Sequence, residues 1–142
     1  PGNCPQLWTE EFIQSLSQRL SPGGRILTYC RAAAVRGSLR RAGLDLYSLK
    51  EPLGRNQDWS LGTMAILPET NKASKFDASS PWQLLSQMEE EHLLTRAAIP
   101  YRDPNGIESS AKIIQRRKKE QINCPLESTS SWQKRWKLGK KS

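Results

Sequence analysis

Apolar positions at Phe12, Ile13, Leu16 and Leu20 recur at helical spacing and predict a first helix with Thr9 as its N-cap. Glu10 and Glu11 suit its positive end, Arg19 falls in its last turn, and Ser21-Pro22-Gly23-Gly24 stops it. Arg25 to Cys30 reads as a short strand. Ala32 to Ala42 reads as a helix with Val35, Leu39 and Ala42 on one stripe, closed by Gly43 in a left-handed position. Leu44 to Leu49 is a second strand, Lys50 to Asp58 a loop around Pro52 and Gly54, and Trp59 to Leu67 a third strand ended by Pro68. Helices alternating with strands imply an α/β fold with a parallel sheet and helices on its faces, and the last two strands, with no helix between them, can pair as an antiparallel hairpin. Such a half-sheet leaves an apolar edge open, so an N-terminal half of the same domain is expected beside it.

The pattern changes after Glu69. Thr70 to Ser80 is polar and reads as a linker. Ser80-Pro81 is expected to open a helix running to about Arg96, with Trp82, Leu85 and Met88 on one stripe. Ile99 to Gly106 has turn chemistry, Ser109 to Ile122 reads as a basic helix, Cys124 to Ser131 as a loop, and Trp132 to Lys137 sets two tryptophans among cations. The expected organisation is therefore 1–68, a linker at 69–80, and a mainly helical basic extension at 81–142.

Charge sharpens that division. Residues 1–111 hold twelve Lys/Arg and twelve Asp/Glu, whereas residues 112–142 hold ten basic residues against Glu120 and Glu127, so the net +8 sits wholly in the last segment. Lys112, Arg116, Arg117, Lys118, Lys119, Lys134, Arg135 and Lys137 are candidates for a nucleic-acid backbone. Trp132 and Trp136 can stack on bases, or they can dock an amphipathic tail on the body. The sequence has no apolar run of membrane-spanning length, and no signal peptide is visible in it. Cys4, Cys30 and Cys124 are widely spaced and His92 is the lone histidine, so neither a metal site nor a disulfide is expected, as suits a cytoplasmic protein. The start at Pro1 is read as a truncation.

Catalytic sets are sparse. His92 and the run Glu89-Glu90-Glu91 read as a solvated acidic turn. Gly23-Gly24 precedes a strand, and no Gly-x-Gly-x-x-Gly occurs, so a cofactor-cradling loop is absent from these residues. In open α/β sheets, ligands bind beyond the carboxyl ends of the strands, which singles out Thr28, Tyr29, Cys30 and Arg31, together with Arg55 in the loop between the hairpin strands.

The run Pro5-Gln6-Leu7-Trp8-Thr9, the turn Leu20-Ser21-Pro22-Gly23-Gly24, the strand end Thr28-Tyr29, the helix Val35-Arg36 to Leu39 and on to Ala42-Gly43, and the loop Gly54-Arg55 together resemble one family. It is the methyltransferase domain of the tRNA 5-methylaminomethyl-2-thiouridine biosynthesis proteins. The resemblance covers residues 3 to 67, and residues 68–142 resemble an extension of cyanobacterial-type members. Here Cys4 precedes Pro5, where the family often has Asn.

The resemblance implies the C-terminal half of a Rossmann-like class I methyltransferase sheet. It implies methyl transfer from S-adenosylmethionine to the aminomethyl group of wobble 5-aminomethyl-2-thiouridine in tRNA. Pro5, Leu7, Trp8, Thr28, Tyr29, Cys30, Arg31, Gly54 and Arg55 would face the substrate. The acidic catalytic residue is expected before Pro1, the isolated chain is expected to be inactive, and no flavin domain is expected in residues 68–142. The competing expectation is a non-enzymatic basic RNA-binding module.

Overall fold

The structure, a computed structural model, describes residues 1–50, 60–69 and 79–138. After a 3-10 turn at Pro5–Trp8, the elements run α1 (Glu10–Ser17), β1 (Arg25–Thr28), α2 (Ala33–Arg41), β2 (Asp45–Leu49) and β3 (Gly62–Ile66). They continue with β4 (Trp82–Leu84), α3 (Gln87–His92), a 3-10 turn at Arg96–Ala98, α4 (Ser110–Asn123) and α5 (Thr129–Arg135). The punctuation read from the sequence works as expected at two places. Thr9 caps α1 by accepting a hydrogen bond from the Phe12 amide, and Gly43 closes α2 at φ 87°.

The sheet has the order β1-β3-β2-β4, and every neighbouring pair is antiparallel. The expected hairpin is present, with Leu49 opposite Gly62 and Asp45 opposite Ile66. The parallel sheet expected from the alternation is corrected: strands β1 and β2 run in the same direction and are linked through α2, yet they do not pair with each other. Strand β3 returns between them and pairs with both. Its five residues are all buried, as a central strand covered on both faces requires. Gly62 makes that insertion possible: a Cβ there would lie 2.9 Å from the backbone oxygen of Thr28 on the neighbouring strand.

The main core joins Ile13, Val35, Leu39, Leu44, Leu46, Ala65 and Leu85, with Trp8, Ile26 and Cys30 against it. The other sheet face carries Tyr47, Met64 and Ile66, with Trp82 packed on them.

The helix expected from Pro81 is corrected by a fourth strand. Lys50 donates its amide to the Pro81 carbonyl, and β4 pairs with β2 along Tyr47–Leu49. The helix begins only at Gln87, where Ser86 and Glu89 form a reciprocal capping box. That Ser-x-x-Glu signal is stronger than Ser80-Pro81, because it satisfies two backbone donors.

The extension folds back on the first 65 residues. Thr9 bridges to Tyr101, Gln6 and Ser110 exchange side-chain hydrogen bonds, and Glu11 accepts from Arg102 (2.5 Å) and from the Asp103 amide (2.9 Å). Farther on, Thr95 bridges to Glu127, and Trp132 is buried with its ring stacked on His92 at 4.2 Å.

Candidate functional site

The carboxyl ends of β1 and β2 and the start of β3 lie at one edge of the sheet, because β3 is antiparallel to both. There Leu27, Thr28, Tyr29, Leu49, Gly62 and Trp82 line an open, largely apolar cleft of about 210 Å³. Tyr29 is 89% exposed, an unusual state for an aromatic ring in a folded chain and one that suits stacking on a flat ligand. Thr28 shapes the turn beneath it by accepting the Cys30 amide (3.0 Å). The Cys30 carbonyl accepts from Thr63 Oγ1 (2.8 Å), and Arg31 donates to the Ser60 carbonyl (2.8 Å).

Thr28, Tyr29, Cys30 and Arg31 are thus brought together at the edge the sheet rule selects. Pro5, Leu7 and Trp8 are not among the residues lining this cleft. They sit on the first 3-10 turn, where Pro5 is buried, Trp8 packs against the main core, and Leu7 is half exposed. Gly54 and Arg55 lie outside the described residues.

The acidic run differs most from its sequence reading. Glu89, expected in a solvated turn, is 1% exposed. Arg36 donates to it (2.9 Å), as do Lys50 (3.0 Å), the Ser60 hydroxyl and the Ser86 amide (3.0 Å). Burial by itself would raise its pKa, but the Ser60 and Ser86 bonds and the Arg36 charge together hold it at about 2. Glu90 takes a two-pronged pair from Arg40, and Glu91 accepts from Arg135 and from Trp136 Nε1. His92 is not solvated either: burial, helped by the Arg36 charge and opposed by Glu89, holds its imidazole at about 4.

The sequence signal for this network was present in the Arg36 of the family motif and the capping box. Its partners Lys50 and Ser60 are 39 and 29 positions from Glu89, a separation no local pattern reveals.

The basic candidates divide into two groups. Arg116 is clamped by Glu108, and Arg117 donates to the Ile99 (2.7 Å) and Ala97 (2.9 Å) carbonyls beneath Tyr101. Arg135 is held by Glu91 and Glu127, and Lys112 lies 3.1 Å from Glu108. Lys118, Lys119, Lys134 and Lys137 are exposed, and no ion pair engages them among the described residues.

Among the described residues no group of three or more His, Cys, Asp or Glu could hold a metal ion, and no helix is long and apolar enough to cross a membrane. Among the described residues, the cleft lining contains no carboxylate.

Residues 1–65 match the model of a family of S-adenosyl-L-methionine-dependent methyltransferases. The fold is similar to the crystal structure of MnmC2 from Aquifex aeolicus, with a TM-score of 0.67 and 25% identity over 84% of this chain. The chain spans 35% of the length of that structure. Both findings fit an MnmC-like methyltransferase domain and the α/β fold class expected from the sequence.

Proposed function

Starting from a chain that fits an MnmC-like, S-adenosylmethionine-dependent methyltransferase domain, we propose that these residues form the substrate side of a tRNA-modifying methyltransferase. Its target is the aminomethyl group of wobble 5-aminomethyl-2-thiouridine. The observation that carries this reading is Tyr29, 89% exposed at the carboxyl edge of the sheet over an apolar cleft. A splayed wobble base can stack on that ring, since single-stranded bases are read by aromatic faces. The apolar lining of Leu27, Leu49 and Trp82 excludes water from the amine and so favours its neutral, nucleophilic form.

S-adenosylmethionine supplies the methyl group. The described residues at this edge do not suit that cofactor: the chain has no Gly-x-Gly-x-x-Gly loop, and the described lining of the cleft offers no carboxylate for ribose hydroxyls. The described residues therefore hold and orient the base. The acidic group that takes the amine proton lies on another part of the enzyme. Good alignment of amine and methyl donor is itself a large part of the rate enhancement.

Lys118, Lys119, Lys134 and Lys137 meet the tRNA backbone, and the reaction is a cytoplasmic one. Residues 1–68 contribute to the catalytic domain, while residues 81–142 form an extension that braces it. The bonds from Gln6, Glu11 and Thr9 into that extension support bracing over a free-standing RNA-binding module.

The test is methyl transfer by the full-length protein onto tRNA carrying 5-aminomethyl-2-thiouridine, with digested nucleosides read by mass spectrometry. Tyr29→Ala is expected to lower kcat/KM about tenfold, the loss of one base stack, while Tyr29→Phe keeps it. No methylated product, or equal transfer to tRNA lacking the aminomethyl group, would sink the proposal.

A further inference from the structure

Glu89 is a buried charge that the chemistry described so far does not use. An ion pair buried this deeply is a weak way to stabilise a fold, since desolvation cancels most of the attraction and apolar side chains of similar volume often do as well. What distinguishes this carboxylate is where its donors come from. Lys50 stands at the carboxyl end of β2, and Ser60 leads into β3.

Arg36, its third partner, also donates to the Ser60 hydroxyl (2.8 Å) and to Thr63 Oγ1 (2.8 Å). Thr63 in turn holds the Cys30 carbonyl, and the Ser60 carbonyl receives Arg31. Glu89 itself is fixed from below by the Ser86 capping box of α3. One bond therefore connects this carboxylate to Lys50 after β2, two connect it through Ser60 to Arg31 after β1, and three connect it through Arg36 and Thr63 to Cys30.

We propose that Glu89 is a positioning residue for the substrate edge. Its carboxylate sets Lys50 and Ser60, and through the Ser60 carbonyl it sets Arg31, in the arrangement that receives the nucleic acid. Lys50 and Arg31 are the first cations in the chain beyond β2 and β1, beside the cleft lining rather than in it, and a phosphate flanking the modified base is the group they suit. The inference rests on the reading of this edge as the substrate side. A carboxylate inside the fold here acts on the tRNA without touching it, by fixing where cations and backbone carbonyls point.

The experiment uses the full-length protein with tRNA carrying 5-aminomethyl-2-thiouridine and compares wild type, Glu89→Gln and Ser60→Ala. Each variant's folded fraction is measured by near-ultraviolet circular dichroism. Glu89→Gln is expected to raise KM for tRNA about tenfold and to leave KM for S-adenosylmethionine within about twofold. Ser60→Ala removes the hydroxyl's bonds to Glu89 and Arg36 while the Arg36–Glu89 pair remains, so no charge is stranded and it carries the test should the glutamine variant fail to fold. Its expected rise in KM for tRNA is about threefold.

A purely structural role predicts something different, namely a lower active fraction and kcat with both KM values unchanged, and that pattern would overturn the inference. So would equal rises in both KM values. A wild-type protein that methylates no such tRNA overturns the substrate-side reading and this inference with it. A wild-type protein that does, beside variants with unchanged KM for tRNA, overturns this inference alone.

Discussion

Replacing Trp132 with alanine tests whether the C-terminal segment is part of the folded body. Trp132 is 1% exposed, and its ring stacks on His92 at 4.2 Å with an interplanar angle of 15°. Truncating a buried tryptophan costs about 3–5 kcal/mol through lost transfer energy and the cavity left behind. The same ring keeps water from His92, whose imidazole is held at about 4 against an ordinary 6.5, chiefly by burial.

The consequence for pH dependence follows from linkage. Below pH 6.5 the unfolded chain takes up a proton that the folded chain refuses, so folding stability is full above 6.5 and falls as the pH drops towards 4. A tenfold difference in proton affinity between the two states is worth about 1.4 kcal/mol, and partial solvent contact of the ring brings the expected loss to the order of 2 kcal/mol.

Because His92 is the lone histidine of the chain, its imidazole C–H resonance can be followed by NMR without assignment, alongside urea unfolding at about pH 7 and about pH 5. Wild type should titrate near 4, and Trp132→Ala should move the midpoint up towards 6.5 and flatten the pH dependence of stability. A wild-type midpoint at or above the ordinary value would refute the buried stack. So would a Trp132→Ala variant destabilised by less than about 1 kcal/mol.

Two further outcomes are expected. Gly62→Ala forces a Cβ to within 2.9 Å of the Thr28 carbonyl oxygen and should destabilise the protein by about 1–3 kcal/mol, read as a lower urea midpoint with unchanged slope; an unchanged midpoint would mean β1 yields more easily than its pairing suggests. Changing Lys118, Lys119, Lys134 and Lys137 together to glutamine should weaken tRNA binding and reduce the slope of log affinity against log salt by up to about 3, leaving thermal stability nearly unchanged. A loss of stability without a change in salt slope would remove these lysines from the RNA surface.

What the sequence determined by itself is local. Thr9, the Phe12–Leu16 spacing, the Val35–Leu39 stripe and Gly43 fix α1 and α2, and the apolar runs fix β2 and β3, because caps and periodicity act within a few residues. The edge holding Thr28 to Arg31 was likewise legible, since strand direction follows from the order of elements. The placing of Pro5, Leu7 and Trp8 on the substrate side came from family resemblance, and the cleft lining does not include them.

Tertiary structure alone decided the rest. Strand β3 enters between β1 and β2 because only there can both faces of Gly62–Ile66 be covered. Residues Trp82–Leu84 become a strand because β2 has a free edge to pair with. Glu89 is buried rather than solvated because Arg36, Lys50 and Ser60 converge on it from distant parts of the chain. Arg116, Arg117 and Arg135 serve the fold while neighbouring lysines stay exposed, for the same reason. A charge read along the sequence reveals its sign, but its partner, and hence its role, is set by contacts between residues far apart in the chain.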